Sequence, residues 1–365
     1  MYRQASEMDN VDVRVITRHH VDPVNYPVKQ FSLSVVPKPT LLDRILRKLY
    51  LAPSDNAIIP NKSNGKWFQS LFEKDRPSAI LCQYGPTGIG MSDFATEFKI
   101  PLVVHFHGYD ISVKLKDPKY RSKLLSKISR WDKCVVVAQY QRDWLLSQGV
   151  QDSQIEVVPC GVPIDTFSPG AKEPTGSCQF LAVGRLTPKK NPQNTIRAFD
   201  LALKSAPTAH LKIIGDGPLM NECRSMVEKF GICDQVEFAG AQPTAVVRDS
   251  MSKASVFVQH SITPESGDME GWPVALAEAA ASGLPIVSTK HASIPEQVIE
   301  GASGFLVDEG DWKTMGEKMA VLANDFAMRA AFGEKARDHI SQWDTRRQIK
   351  LLEQIMLNVS QSSRS

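Results

Sequence analysis

Apolar residues fall in short continuous runs, separated by stretches in which they recur every three to four positions. In the first half the runs are Val11–Thr17, Ser78–Gln83, Pro101–His107, Lys133–Ala138 and Ile155–Cys160. They predict strands buried on both faces, since a strand with one wet face alternates instead. The periodic stretches Leu41–Leu51, Lys66–Lys74, Met91–Phe98, Pro118–Arg130 and Gln139–Gln148 predict helices. Runs alternating with helices describe an α/β chain of parallel strands and helical crossovers.

The segment 163–177, PIDTFSPGAKEPTGS, has no period and predicts a linker. Beyond it the alternation restarts. Strands are expected at Gln179–Val183, His210–Ile214, Gln235–Phe238, Ser255–Gln259, Pro285–Ser288 and Gly304–Val307. Helices are expected at Pro192–Ser205, Pro218–Phe230, Thr244–Ser252 and Pro273–Ser282, with helical sequence from Asp311 onward. The expected organisation is a doubly wound domain over 1–162, a linker over 163–177 and a second doubly wound domain over 178–340. A terminal helix over 341–365 is expected to cross back to the first domain. The 365 residues suit two domains of roughly 100–200 residues each. Two such domains facing each other would bind ligands at the carboxyl ends of their strands.

Composition removes other classes. Charged residues at 23% and hydrophobic ones at 42% are ordinary for a globular chain. No run reaches the roughly 18 apolar residues of a membrane span. The start, MYRQASEMDNVDV, is polar and mixed in charge, unlike a signal peptide. Six cysteines without a C-x-x-C pair read as reduced thiols, so a cytoplasmic location is expected and a zinc cluster is not. The net charge of +3 is uneven: residues 1–175 balance at +5 and the remainder at −2. That excess is too mild to suggest nucleic acid.

Four segments carry candidate chemistry. Gly184-Arg185 and Lys190, in V-G-R-L-T-P-K-K-N-P, follow the first strand of the second domain and place a guanidinium fork and a point charge above its edge. Solvated loop charges would read the same way. Gly215 lies in I-G-D-G-P, a tight strand-to-helix turn that often lines a nucleotide site but also occurs as a plain turn. In P-E-S-G-D-M-E-G-W-P-V-A-L-A-E-A a glycine-bearing loop carries Glu270. A helix then opens near Pro273, with Glu278 about one and a half turns in. Gly271, Pro273 and Val274 shape its mouth, and the free amides of Val274 and Ala275 favour an anion. Glu278 in so apolar a helix needs a partner or a ligand. Lastly, Val104 to Asp110 ends a strand in His107-Gly108, and His105 has the spacing to share a face with His107. A metal site there lacks a third ligand.

With these residues in hand, the chain resembles the retaining, GT-B-fold glycosyltransferases of family 4, and most of all the branch that builds colanic-acid and amylovoran-type surface polysaccharides. The resemblance rests on V-G-R-L-x-x-K-K-N, I-G-D-G-P and G-D-M-E-G-x-P-V-x-L-x-E-A. G-L-P-I-V-S-T-K-H with Ile294-Pro295-Glu296 continues it, as do Tyr84-Gly85-Pro86-Thr87-Gly88 and Phe106 to Asp110. It implies two Rossmann-like domains facing across a cleft and transfer of a sugar from a nucleotide-sugar to a glycan or lipid-linked acceptor, without metal or other cofactor. It implies that Arg185 and Lys190 hold the donor diphosphate with Gly184, Gly215, Gly271, Pro273 and Val274 around it. Glu278 would hold the ribose and Glu270 the hydroxyls of the transferred sugar. His107 would act near the reacting sugar, with Tyr84, Gly85 and Asp110 on the acceptor side. Against the family pattern the chain opens almost at its second strand, so a first strand and its glycine loop are expected to be missing. The segment Lys114–Lys133 holds eight Lys/Arg and is expected either to touch an anionic membrane surface or to be a solvated helix over a core stripe. A non-catalytic sugar-nucleotide binder and a nucleotide-sugar epimerase on a similar fold are the alternatives.

Overall fold

In the computed structural model the described residues are 7–17, 32–35, 65–170 and 177–362. They divide into two compact units: Met1–Val158 with Gln348–Ser365, and Pro159–Arg347. The helix expected over Leu41–Leu51 lies outside the described residues.

Among the described residues, unit 1 contains two parallel sheets. β1 (Arg14–Thr17) pairs with β2 (Ser32–Val35). The second sheet runs in the order β3 (Ile80–Gln83), β4 (Leu102–His105), β5 (Lys133–Val136), β6 (Ile155–Val157). Successive side chains of its central strands enter different cores. Leu102, Val104, Cys134 and Val136 join Phe68, Phe72, Phe94 and Trp131 on one side. Val103 and Val135 pack with Leu352, Ile355 and Val359 of the last helix on the other. All four of these valines have no exposed surface. A strand wetted on neither side reads as a continuous apolar run, which is why these strands were legible.

The helix after β3 begins at Gly85 rather than Met91 (α2, Gly85–Glu97, after α1, Gly65–Lys74). Its first turn shows no apolar stripe because it is built from small residues in close contact. A Cβ on Gly88 would lie 2.5 Å from Val104 Cγ2. The strand Ser32–Val35, only four residues with serine at alternate positions, gave no such signal.

Unit 2 holds one six-stranded parallel sheet: β12 (Gly304–Val307), β11 (Ile286–Thr289), β10 (Val256–Gln259), β7 (Gln179–Val183), β8 (His210–Ile214), β9 (Val236–Gly240). After α3 (Pro118–Lys127) and α4 (Gln139–Ser147) of unit 1, its helices include α5 (Pro192–Leu203), α6 (Met220–Phe230), α7 (Thr244–Lys253) and α8 (Val274–Ala281). The first part of the segment read as a linker packs into this unit. Phe167 is buried and its carbonyl accepts from Arg337 Nη1 at 2.8 Å, while Val162 bridges Asp344. The unit starts at Pro159; within the segment read as a linker, Pro/Gly-rich composition hides two apolar anchors, Ile164 and Phe167, which follow the buried Val162. The last helix, Thr345–Ser362, starts in unit 2 and groups with unit 1 from Gln348 onward. There Glu353 accepts from the Asn10 amide at 2.6 Å. Among the described residues no helix is long and apolar enough to cross a membrane.

Candidate active site

Two glycine turns lie against each other at the carboxyl edge of unit 2's sheet. The Gly184 amide donates to Ile214 O at 2.9 Å and the Leu186 amide to Asp216 O at 3.0 Å. Gly215 has φ +140°, and a Cβ there would lie 1.9 Å from Gly184 O. Only glycine permits this approach. V-G-R and I-G-D-G-P thus support each other, and V-G-R lines a recess with Lys190, Thr195 and Gln259. Arg185 is exposed at this recess, and among the described residues its guanidinium has no hydrogen bond or ion pair.

Lys190 turns inward. Its Nζ lies 2.9 Å from Glu270 Oε1 and 3.2 Å from Gln259 Oε1. Glu270 is 5% exposed and also accepts from Ser261 Oγ at 3.2 Å. Burial alone would push its carboxyl up, but the Lys190 and Lys189 ammonium groups outweigh burial and hold it below the ordinary range. Lys189 fastens the same loop, with Nζ 3.1 Å from Asp268 Oδ1 and 3.3 Å from Met269 O. The Glu270 amide donates to His291 Nε2 at 3.1 Å.

Gly271, Trp272 and Pro273 are buried and turn this loop into α8. Leu276 and Ala277 are the first helix amides to bond back, both to Pro273 O. The Val274 and Ala275 amides precede them, outside the helical ladder. Glu278 is half-buried and engaged, while Ala277, Ala279 and Ala280 around it are buried. Its helix is apolar as expected, but Glu278 stands at the edge of the packed face rather than within it.

Unit 1 gathers its own group. Asp110, fully buried, accepts the Gly85 amide at 2.8 Å, the His107 amide at 3.0 Å and the Gly108 amide at 3.1 Å. Burial outweighs these bonds and pushes its carboxyl up to about 6. His107 Nε2 meets Gln83 Oε1 at 2.6 Å, and its ring tilts against Tyr84 at 4.7 Å and His105 at 4.3 Å. Burial lowers His107 to about 4. The two histidines do share a face. Among the described residues no group of three or more His, Cys, Asp or Glu is arranged to hold a metal ion. Tyr84 takes φ +69°, a backbone conformation that β-carbons resist, at the entry to α2.

The family models match in tandem: "Glycosyltransferase Family 4" over residues 3–166 and "Glycosyl transferases group 1" over 164–339. The chain belongs to this glycosyltransferase family. It is 31% identical over 269 residues to WcaL of Escherichia coli, described as a colanic acid biosynthesis glycosyltransferase. That match takes in 73% of this chain and 66% of WcaL, so the chain spans just under two thirds of its relative. It is 30% identical over 210 residues to the amylovoran biosynthesis glycosyltransferase AmsK of Erwinia amylovora, covering 57% of this chain and 52% of AmsK. Among solved structures, HepE of Anabaena in complex with UDP has a TM-score of 0.74 at 15% identity, over 95% of this chain and 100% of that one. The lipopolysaccharide outer core galactosyltransferase WaaB has a TM-score of 0.71 at 17% identity, over 100% and 94%. These are GT-B proteins, and the two parallel-sheet units have that architecture.

Unit 2 brings together Gly184, Arg185, Lys190, Gly215 and Glu270, while Tyr84, Gly85, His107 and Asp110 assemble in unit 1. Sequence reasoning passed over Gln259, Ser261, Lys189, His291 and Gln83. Gln259 ends a strand in the sheet beside β7, and strand-end polar residues at a carboxyl edge are a usable signal. His291 sits inside a quoted motif, but nothing local shows that its ring reaches the Glu270 amide.

Proposed function

We propose that this chain transfers a sugar, with retention of configuration and without a metal, from a nucleotide-sugar to a glycan or lipid-linked acceptor in surface polysaccharide synthesis. The observation that carries the reading is the Lys190–Glu270 contact beside the Gly184 and Gly215 turns, a cation and a carboxylate held together at the carboxyl edge of a parallel sheet. The departing diphosphate gains negative charge. Arg185, Lys190 and the first amides of α8 take it in this reading, as preorganised donors. Glu270 orients hydroxyls of the transferred sugar and Glu278 binds the ribose. The acceptor attacks on the side the leaving group departs from, which keeps configuration. Unit 1 supplies the acceptor groups Tyr84, Gly85, His107 and Asp110, with the imidazole of His107 neutral at working pH. The UDP bound to HepE supports a nucleotide-linked donor.

A cytoplasmic enzyme meeting lipid-linked acceptors would rest on the inner membrane face. Lys116, Lys119, Arg121 and Lys123 are exposed cations of the basic segment that support such a contact. Lys127 and Arg130 are spent on Asp93, and Lys133 on Glu156. Leu124, Ile128 and Trp131 are buried in the core.

The test is turnover of UDP- and GDP-sugars with acceptor by wild type, Arg185→Ala and Glu270→Ala. Transfer by wild type and a fall of two or more orders of magnitude in either variant supports the assignment. Equal turnover in all three removes the site. Nucleotide binding without turnover favours a binder, and an epimerised donor favours the epimerase reading.

A further inference from the structure

Both ring nitrogens of His291 are engaged, and the ring has no exposed surface. Nε2 faces the Glu270 amide at 3.1 Å. Nδ1 lies 2.6 Å from Glu309 Oε1, and the other Glu309 oxygen accepts the Thr263 amide at 2.7 Å. A backbone N–H can only donate, so Nε2 must present its lone pair. The neutral imidazole then carries its proton on Nδ1, aimed at the Glu309 carboxylate. The network fixes this tautomer without ambiguity, because the opposite one would set two donors against each other at Glu270. Both contacts demand the same tautomer. Glu309 holds its proton, and the Nε2 lone pair pins the main chain whose side chain meets Lys190 at 2.9 Å.

We propose that His291 and Glu309 are positioning residues that set the place of the Glu270 carboxylate. The role rests on the transferase reading, since turnover is where that placement is felt. The loop carrying Glu270 belongs to no strand, so discrete contacts must fix it. Lys189 ties down Asp268 and Met269, and the His291 ring ties down Glu270 itself. A histidine that merely fills the core would need partners for its nitrogens but would not need the partner order seen here. A misplacement of about 1 Å at a reacting group costs on the order of a hundredfold in rate.

Glu309→Ala removes the 2.6 Å acceptor for Nδ1–H, leaves Thr263 Oγ1 at 3.5 Å, and loosens the hold on the tautomer. Glu309→Gln keeps a side-chain carbonyl for that proton. The expected result is a kcat about tenfold to a hundredfold lower for Glu309→Ala, with the donor KM moved by less than about threefold. Glu309→Gln recovers most of the loss. The 15N spectrum of the imidazoles in the full-length protein should show an Nδ1–H tautomer for His291 in wild type and Glu309→Gln, and its loss in Glu309→Ala. The Glu270 amide should exchange with solvent faster in Glu309→Ala alone. A wild-type Nε2–H tautomer, or Glu309→Ala with full kcat, overturns the relay. The wild-type ring spectrum needs no variant to fold. If wild type transfers no sugar from any donor, the transferase reading falls, and the ring spectrum with the Glu270 exchange rate still decides the relay.

Discussion

Lys190 Nζ lies 2.9 Å from Glu270 Oε1, and each charge occupies a place that burial alone would deny it: the lysine side chain is 19% exposed and the glutamate 7%. Removing one partner leaves the other uncompensated. Lys190→Met should lower unfolding free energy by about 3 kcal/mol, and Lys190→Met with Glu270→Gln should recover most of it. Urea denaturation of the wild type, both single variants and the double variant closes the cycle. Additive losses would show that the two side chains are not coupled.

The same contact predicts a pH dependence. Glu270 is held below its ordinary range in the folded state, so its stabilisation is complete above the unfolded pKa and is lost as pH falls through the folded one. Wild type should lose its advantage over Lys190→Met between neutral pH and the region below about pH 4. Denaturation midpoints measured at pH 7 and pH 3.5 check this; a constant gap contradicts it.

Asp110 behaves oppositely. Its folded pKa is about 6, above the ordinary value of 3.8, so the folded state holds the proton more tightly and ionisation costs stability. This penalty is absent below the unfolded pKa and present in full above about pH 6. Relative to Asp110→Asn, wild type should lose roughly 3 kcal/mol between pH 4 and pH 7.5. Parallel denaturant melts at the two pH values give the number, and a gap widening in favour of wild type would reverse the assignment.

Gly215 and Gly231 both have positive φ, +140° and +68°, but only Gly215 faces an obstacle, the Gly184 carbonyl 1.9 Å from its Cβ position. Gly231→Ala should cost about 1 kcal/mol, the backbone term alone. Gly215→Ala should cost more than about 3 kcal/mol and displace Arg185 with its turn. Thermal melts of the two variants separate the effects, and comparable losses would mean the two turns do not rest on each other.

Lys119, Arg121 and Lys123 are exposed on one helix of unit 1. If they meet an anionic bilayer, each contributes about 1 kcal/mol. Lys119→Glu/Lys123→Glu should then cut sedimentation with phosphatidylglycerol vesicles at least tenfold, while neutral vesicles bind neither protein. Equal binding to both vesicle types removes the membrane role.

The chain itself determined a great deal. Continuous apolar runs placed the buried strands of both units, among them Gln179–Val183, His210–Ile214 and Gly304–Val307 with the observed ends. The reason is local: a strand covered on both faces is mostly apolar instead of alternating. The residue types at Gly184, Arg185, Lys190, Gly215 and Glu270 were likewise readable, because turns and charges at strand ends leave a mark in one segment. Ser32–Val35 stayed hidden, since four residues with two serines resemble a loop until a neighbouring strand pairs with them. The partners of those charges were also hidden. Lys190 and Glu270 are 80 residues apart in sequence, and His291 reaches the loop of Glu270 from just beyond β11. Which amide a ring nitrogen accepts from, and which carboxylate then holds its proton, depends on distances between elements far apart in the chain. Only the tertiary fold sets those distances.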